Sequence, residues 1–248
     1  MSVRGILRAT ARAAWFLGIV LAAWSEYWLR IRRLPSGQRR RAQAEWLHRG
    51  SVRICRLLKV ATEVRGTPPP SGLIASNHLS YLDVFVLSAA VPCIFVAKQE
   101  ITGWPVFGRC ARYGGTIFID RTRRGAVAPV LAEMREVLAA GLPLVLFPEG
   151  TTSHGETVLP FNSALFGAAF ESEAPVTANA IGYELPGGSA KTEICYAGVA
   201  LLPHLWNLLS KPRLLARLSF SEPRPPTGSR KTLAIEVHST VSSLHRES

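Results

Sequence analysis

His78 and Asp83 stand five residues apart, across what reads as a strand-to-helix turn. That separation lets the chain fold back and set a carboxylate on one imidazole nitrogen, leaving the other nitrogen to take a proton. A free imidazole titrates near about pH 6.5, so it is mostly neutral around pH 7 and serves as a general base, while the aspartate fixes its tautomer and stabilises the imidazolium. The natural client is an alcohol. Structural readings compete: Asp83 as a helix cap and His78 as a polar turn residue, and the pair alone does not choose. Arg121, after Asp120, offers a planar fork for a phosphate or carboxylate, although beside Arg123 and Arg124 it also fits a solvated cluster. Glu149 ends an apolar run and precedes Gly150, where a missing side chain allows close backbone approach to a ligand; an ordinary Glu-Gly turn is the alternative. Thr151 and Thr152 follow. The histidines at 48, 154, 204, 238 and 245 have no carboxylate at useful spacing and read as structural.

These residues need elements to carry them. From residue 72 onward, short runs rich in Ile, Val and Phe alternate with helical periodicity: GLIASN, CIFVAK, TIFID, LVLFPE, VTANAIGYE, TEICYAG and ARLSFSE. The rhythm predicts an α/β sheet. The clearest helix is residues 126–140, with Val127, Val130, Leu131, Met134, Val137 and Leu138 at helical spacing and Gly141 as the stop. Residues 230–246 read as a closing helix, and SEPRPPTGSR before them as a loop. In an open α/β sheet, ligands gather where strands end, and His78, Arg121 and Glu149 each follow such an end.

The chain has 248 residues, 48% hydrophobic and 19% charged, enough for one globular domain and incompatible with a disordered tail. Its net charge of +12 is uneven: residues 1–65 carry +11 and residues 66–248 carry +1. The expected division is therefore a basic N-terminal helix pair, 1–65, and a catalytic body, 66–248. Residues 13–24 are an uninterrupted apolar run, about 18 Å as a helix, too short to cross a hydrocarbon core of about 30 Å upright; stretched to Leu29 the segment reaches about 25 Å, a marginal span, and an embedded helix is the expectation. After Pro35 a second helix places Leu47, Ile54 and Leu58 on one face and Arg49, Arg53 and Arg56 on the other. With Trp15, Trp24, Trp28 and Trp46, the pair is expected to lie in an anionic bilayer surface. A hairpin packed on the body, a signal peptide and a nucleic-acid arm are weaker readings, the last because the aromatics do not interleave with the arginines. Cys55, Cys93, Cys110 and Cys195 form no CxxC pair and suit neither zinc nor a disulfide framework.

No GxSxG elbow and no GxGxxG after a strand is present. The residues that are present, Asn77 to Asp83 (NHLSYLD), Gly115 to Arg121 (GTIFIDR) and Phe147 to Thr152 (FPEGTT), occur in the order of the phospholipid/glycerol acyltransferase family, which the chain resembles over about residues 70–225. Ala97-Lys98 and Gly103-Trp104-Pro105-Val106-Phe107-Gly108 also resemble family sequence. A fourth block departs: Pro175-Val176-Thr177-Ala178-Asn179-Ala180 keeps one proline followed by small or polar residues, and Asn162 stands near where many relatives carry a basic residue.

The resemblance implies a mixed central sheet flanked by helices, with an N-terminal two-helix membrane-binding segment. It implies His78 as base and Asp83 as its orienter, with Arg121, Glu149, Gly150 and Thr151 on the polar end of a lysophosphatidate-like acceptor. A lyso-ornithine lipid is the rival acceptor, and a non-catalytic membrane-binding protein the rival of another class. The implied partners are membrane phospholipids, the lyso-lipid and an acyl-CoA or acyl carrier protein thioester as co-substrate. No cofactor, metal or nucleic acid is expected, and the implied location is the cytoplasmic face of the inner membrane.

Overall fold

The computed structural model of the protein describes residues 2–120, 122–123 and 125–247. Among them, seven strands form one sheet: β1 (Val60–Arg65), β2 (Gly72–Ser76), β3 (Ile94–Lys98), β4 (Ile117–Ile119), β5 (Pro143–Leu146), β6 (Val176–Glu184) and β7 (Leu214–Phe220). Their order is β1-β7-β6-β2-β5-β3-β4, with every pair parallel except β6 with β7. The fold is therefore the expected α/β arrangement around a mixed sheet. β2 and β5 lie at its centre and are wholly buried, which is why they read as unbroken apolar runs.

Helices cover both faces. One apolar cluster joins α1 (Val3–Glu26), α2 (Ser36–Leu58), α3 (Leu82–Ala90), α4 (Phe107–Tyr113) and α8 (Leu201–Ser210) to the sheet. The other joins α5 (Val127–Ala139), α6 (Gly167–Glu171) and α9 (Arg230–Arg246). The helices expected at 126–140 and 230–246 are α5 and α9. TEICYAG is not a strand: the Glu193 carboxylate accepts the Ser189 N–H at 3.1 Å and closes the single turn α7 (Ala190–Glu193) instead.

The N-terminal segment differs from its expected form in two ways. Lys59, at φ 55°, stops α2, and the next six residues enter the sheet as β1. The strand left no apolar signal because it is an edge strand with nearly every position exposed. Second, the stripe of α2 faces the body: Leu47, Ile54 and Leu58 are buried, and α2 packs on α3. A sheet face needing cover and a bilayer satisfy such a stripe equally well, so sequence alone does not aim it. Arg53 and Arg56 are exposed, while Arg49 pairs with Glu26 at 2.6 Å.

α1 keeps an outward apolar face. With the π-helical turn Tyr27–Ile31 it runs 29 residues, about 43 Å. Val3, Leu7, Trp15, Leu17, Leu21 and Leu29 are exposed along it. Its inner face is attached at both ends. Arg8 and Arg12 donate to the carbonyls of Ser210 and Leu209 at 2.7 and 3.1 Å, binding the C-terminal end of α8. Farther along, Trp46 Nε1 donates to the Ala23 carbonyl at 2.7 Å and Trp28 Nε1 to Tyr113 Oη at 2.9 Å.

Candidate active site

β2 ends against β6 through an amide clamp. Asn77 Oδ1 accepts the Ile181 N–H at 2.7 Å and Asn77 Nδ2 donates to the Ile181 carbonyl at 3.0 Å, so a side chain continues the ladder where the backbone leaves it. The chain then turns before α3, and Asp83 organises that turn. Its Oδ2 accepts the Leu79 and Ser80 N–H groups at 2.7 and 3.0 Å and faces His78 Nδ1 at 2.8 Å; its Oδ1 accepts the Tyr183 hydroxyl at 2.7 Å. Four donors converge on a carboxylate that is fully buried, the bonding pattern of an acceptor-only group.

Because Asp83 can only accept from His78, Nδ1 carries the proton and Nε2 presents its lone pair. The imidazole lies flat on Phe147, centroids 4.0 Å apart and planes 16° apart, and its side chain is 20% exposed. Nε2 has no partner among the described residues. An imidazole with one nitrogen anchored and the other without a partner among the described residues is arranged to accept a proton from an arriving hydroxyl.

Glu149 arrives from the end of β5. Its Oε1 accepts the His78 backbone N–H at 3.2 Å, and its Oε2 is buried without a partner among the described residues. Burial pushes its carboxyl up to about 8, the negative charge of Asp83 adds to the rise, and the N–H groups of His78 and Leu159 oppose it. The group thus titrates in the neutral range, where its protonated form donates and its charged form accepts. Gly150 turns the chain at φ +73°, a conformation that favours glycine. Thr151 is exposed; Thr152 and Ser153 do the tying, with the Thr152 hydroxyl on the Tyr196 carbonyl and the Ser153 N–H on the His78 carbonyl at 2.9 Å. His78, Asp83 and Glu149 are therefore brought together. Arg121 lies outside the described residues.

Two neighbours were not singled out from sequence. Tyr183 is a hundred positions from Asp83, and its signal, a tyrosine at the far end of an apolar strand, has meaning only once β6 is known to lie beside β2. Phe147 belongs to the FPEGTT motif, and nothing in that motif's spacing marks it as the surface on which His78 rests. The polar residues of the departing fourth block are internal fastenings: Ser76 Oγ donates to Asn179 Oδ1 at 2.9 Å, and Asn179 Nδ2 to the Ser219 carbonyl at 3.3 Å. Ser80 and Cys195 are poor nucleophile candidates, the first wholly buried and the second with its thiol pushed up to about 12 by burial. Among the described residues no cluster of three His, Cys, Asp or Glu is placed to hold a metal.

A family model described as Acyltransferase matches residues 61–182. A lyso-ornithine lipid O-acyltransferase of Pseudomonas aeruginosa is 34% identical over 245 residues, 95% of this chain and 92% of the relative. The chain belongs to the acyltransferase family. Another member, a 1-acyl-sn-glycerol-3-phosphate acyltransferase of Neisseria meningitidis, is 40% identical over 166 residues, and there the chain spans 65% of the relative's length. The crystal structure of a Thermotoga maritima 1-acyl-sn-glycerophosphate acyltransferase superposes with a TM-score of 0.69 over 98% of this chain and 94% of that one, at 22% identity, and shares the acyltransferase fold.

Proposed function

We propose that the chain transfers a fatty acyl group from an acyl-CoA or acyl carrier protein thioester to the free hydroxyl of a lysophosphatidate-like lyso-lipid, giving phosphatidate. The observation that carries this reading is the His78–Asp83 pair at 2.8 Å with Nε2 directed away from its anchor. A lyso-lipid hydroxyl is too weak an acid to attack unaided, whereas a thioester is already activated, so base assistance suffices and no enzyme nucleophile is needed. His78 takes the proton as the hydroxyl oxygen bonds to the thioester carbonyl carbon. The carbon–sulfur bond then breaks, and the imidazolium returns its proton to the departing thiolate. Asp83 holds the ring and stabilises its charged form. In this scheme Arg121, Glu149, Gly150 and Thr151 bind the polar end of the acceptor.

Both substrates carry long apolar chains, and the outward face of α1 is the surface suited to meet them in a bilayer. Attachment of α1 to the body at both ends favours a helix lying in one leaflet on the cytoplasmic side of the inner membrane over one crossing it. The exposed Arg53 and Arg56 then supply a basic surface for anionic phospholipids.

A lyso-ornithine lipid is the second acceptor, favoured by the near full-length match to the Pseudomonas relative and by the uncharged Asn162. The test offers lysophosphatidate and lyso-ornithine lipid with acyl-CoA and acyl carrier protein thioesters and follows products by mass. A new diacyl lipid from one acceptor is expected; no product from any pairing contradicts acyl transfer.

A further inference from the structure

We propose that His245 and His238, on the C-terminal helix α9, are positioning residues for the loop that carries Glu149, so that the working site reaches beyond the region 61–182 matched by the family model. The inference rests on the acyl-transfer reading above.

Residues 148–162 form a segment that has no strand and no helix, and its ends close through the Asn162 N–H and the Pro148 carbonyl at 2.9 Å. It is an Ω-loop, and ordering it costs conformational entropy that its few internal hydrogen bonds offset poorly. Its inner edge is seated on the catalytic turn, with Ser153 on the His78 carbonyl. Gly155 continues that contact: a Cβ there would sit 3.2 Å from Leu79 Cδ2, so the loop runs against the residue after His78.

The outer edge is held from α9. His245 Nε2 lies 2.9 Å from the Gly155 carbonyl oxygen, and His238 Nε2 lies 3.3 Å from that of Val158, its ring edge-on to Phe161. A carbonyl only accepts, so both Nε2 atoms carry the proton and donate. The two histidines are seven positions apart, which puts them on one face of the helix, two turns from each other. His245 Nδ1 is buried without a partner among the described residues, so the ring's hydrogen bonding there is spent on the loop. On the opposite side the loop is tied near its start by the Thr152 hydroxyl on the Tyr196 carbonyl and by the Cys195 thiol 3.6 Å from the His154 carbonyl, while the exposed Glu156–Lys191 pair and a long 3.4 Å approach of His154 to the Lys191 carbonyl are weak restraints in solvent; past residue 156 the grip comes from α9.

The grips fall at informative places. One fixes Gly155 over Leu79; the other fixes Val158, next to the Leu159 N–H that faces Glu149. Slack in this loop displaces Glu149 from His78, and small displacements of aligned groups are expensive in rate.

Full-length His245→Ala, His245→Gln and His238→Ala proteins test this by amide hydrogen exchange over residues 151–161, together with kcat and acceptor KM for the lyso-lipid the unmodified protein acylates. In His245→Ala the loop is expected to exchange faster and kcat to fall about tenfold, more than KM rises, with little change in thermal midpoint. Glutamine, whose amide nitrogen reproduces the Nε2 donor, restores most of both, and His238→Ala, losing the longer bond, lowers kcat about threefold. Faster exchange with kcat unchanged overturns the positioning role, and unchanged exchange overturns the grip itself. Should His245→Ala not fold, His238→Ala and His245→Gln carry the same comparison. Absence of turnover by the unmodified protein with every lyso-lipid rejects the acyl-transfer reading instead, and exchange still decides whether the histidines hold the loop.

Discussion

The two segments that meet at His78 are held in opposite ways. The turn of residues 77–83 is fixed densely, by an amide clamped to β6 and a buried carboxylate taking three hydrogen bonds from the turn itself and a fourth from Tyr183 on β6. The loop of residues 148–162 is fixed sparsely, closed at its ends by one backbone bond and held elsewhere by scattered contacts to the turn, to Tyr196 and to α9. A base must hold one geometry to within a fraction of an ångström, whereas a segment facing acceptors of different headgroup gains from being adjustable. On the proposed function the contrast separates the proton transfer, built on over-determined structure, from acceptor binding, built on a loop that touches the turn at the His78 N–H and carbonyl and so must be held against it.

If that contrast is right, damage inside the turn costs the most. Asp83→Asn replaces an acceptor of four bonds by a group with an NH₂ facing donors, and its His78 loses the tautomer that leaves Nε2 free. Turnover is expected to fall by about 10² to 10⁴, with a loss of about 1–3 kcal/mol in stability, read by steady-state kinetics and thermal unfolding. A loss under tenfold would mean the turn is not organised by this carboxylate.

Glu149 probes the other segment through pH. Its carboxyl is raised from the usual 4.5 to about 8 in the folded protein, so the folded chain binds the extra proton between those values. The stability it contributes is full below about pH 4.5 and is lost as pH rises through about 8. Glu149→Gln should flatten this decline, by on the order of a few kcal/mol at most, in denaturant titrations from pH 5 to 8.5. An unchanged slope would place the decline on other groups.

The smallest effect sharpens the comparison most. Tyr183→Phe removes one of four donors to Asp83 and leaves the rest, so an over-determined turn should tolerate it: kcat/KM is expected to fall about three- to tenfold. A loss as large as that of Asp83→Asn would show that the turn depends on this one bond.

What could be read from the sequence follows from range. His78, Asp83 and Glu149 were legible because each sits at a strand end whose apolar run is plain, and because the first two lie five positions apart in one turn. β2 and β5 were legible for the same reason, since central strands of a covered sheet are apolar at every position. β1 was not, because an exposed edge strand has no burial pattern to leave. The stripe on α2 was visible but not its direction, which depends on whether the sheet leaves a face uncovered. Tyr183 meets Asp83 across 100 positions, and His245 and His238 meet the loop across 90 and 80, and no local pattern encodes a partner that distant.

The central claim is that the His78 imidazole removes the proton from a lyso-lipid hydroxyl. The most direct measurement is the turnover of full-length His78→Ala, with the lyso-lipid and thioester used by the unmodified protein, alongside circular dichroism to verify the fold. The account predicts a drop of at least about 10² with the fold retained. Turnover within a few fold of the unmodified protein, in a folded His78→Ala, would contradict it.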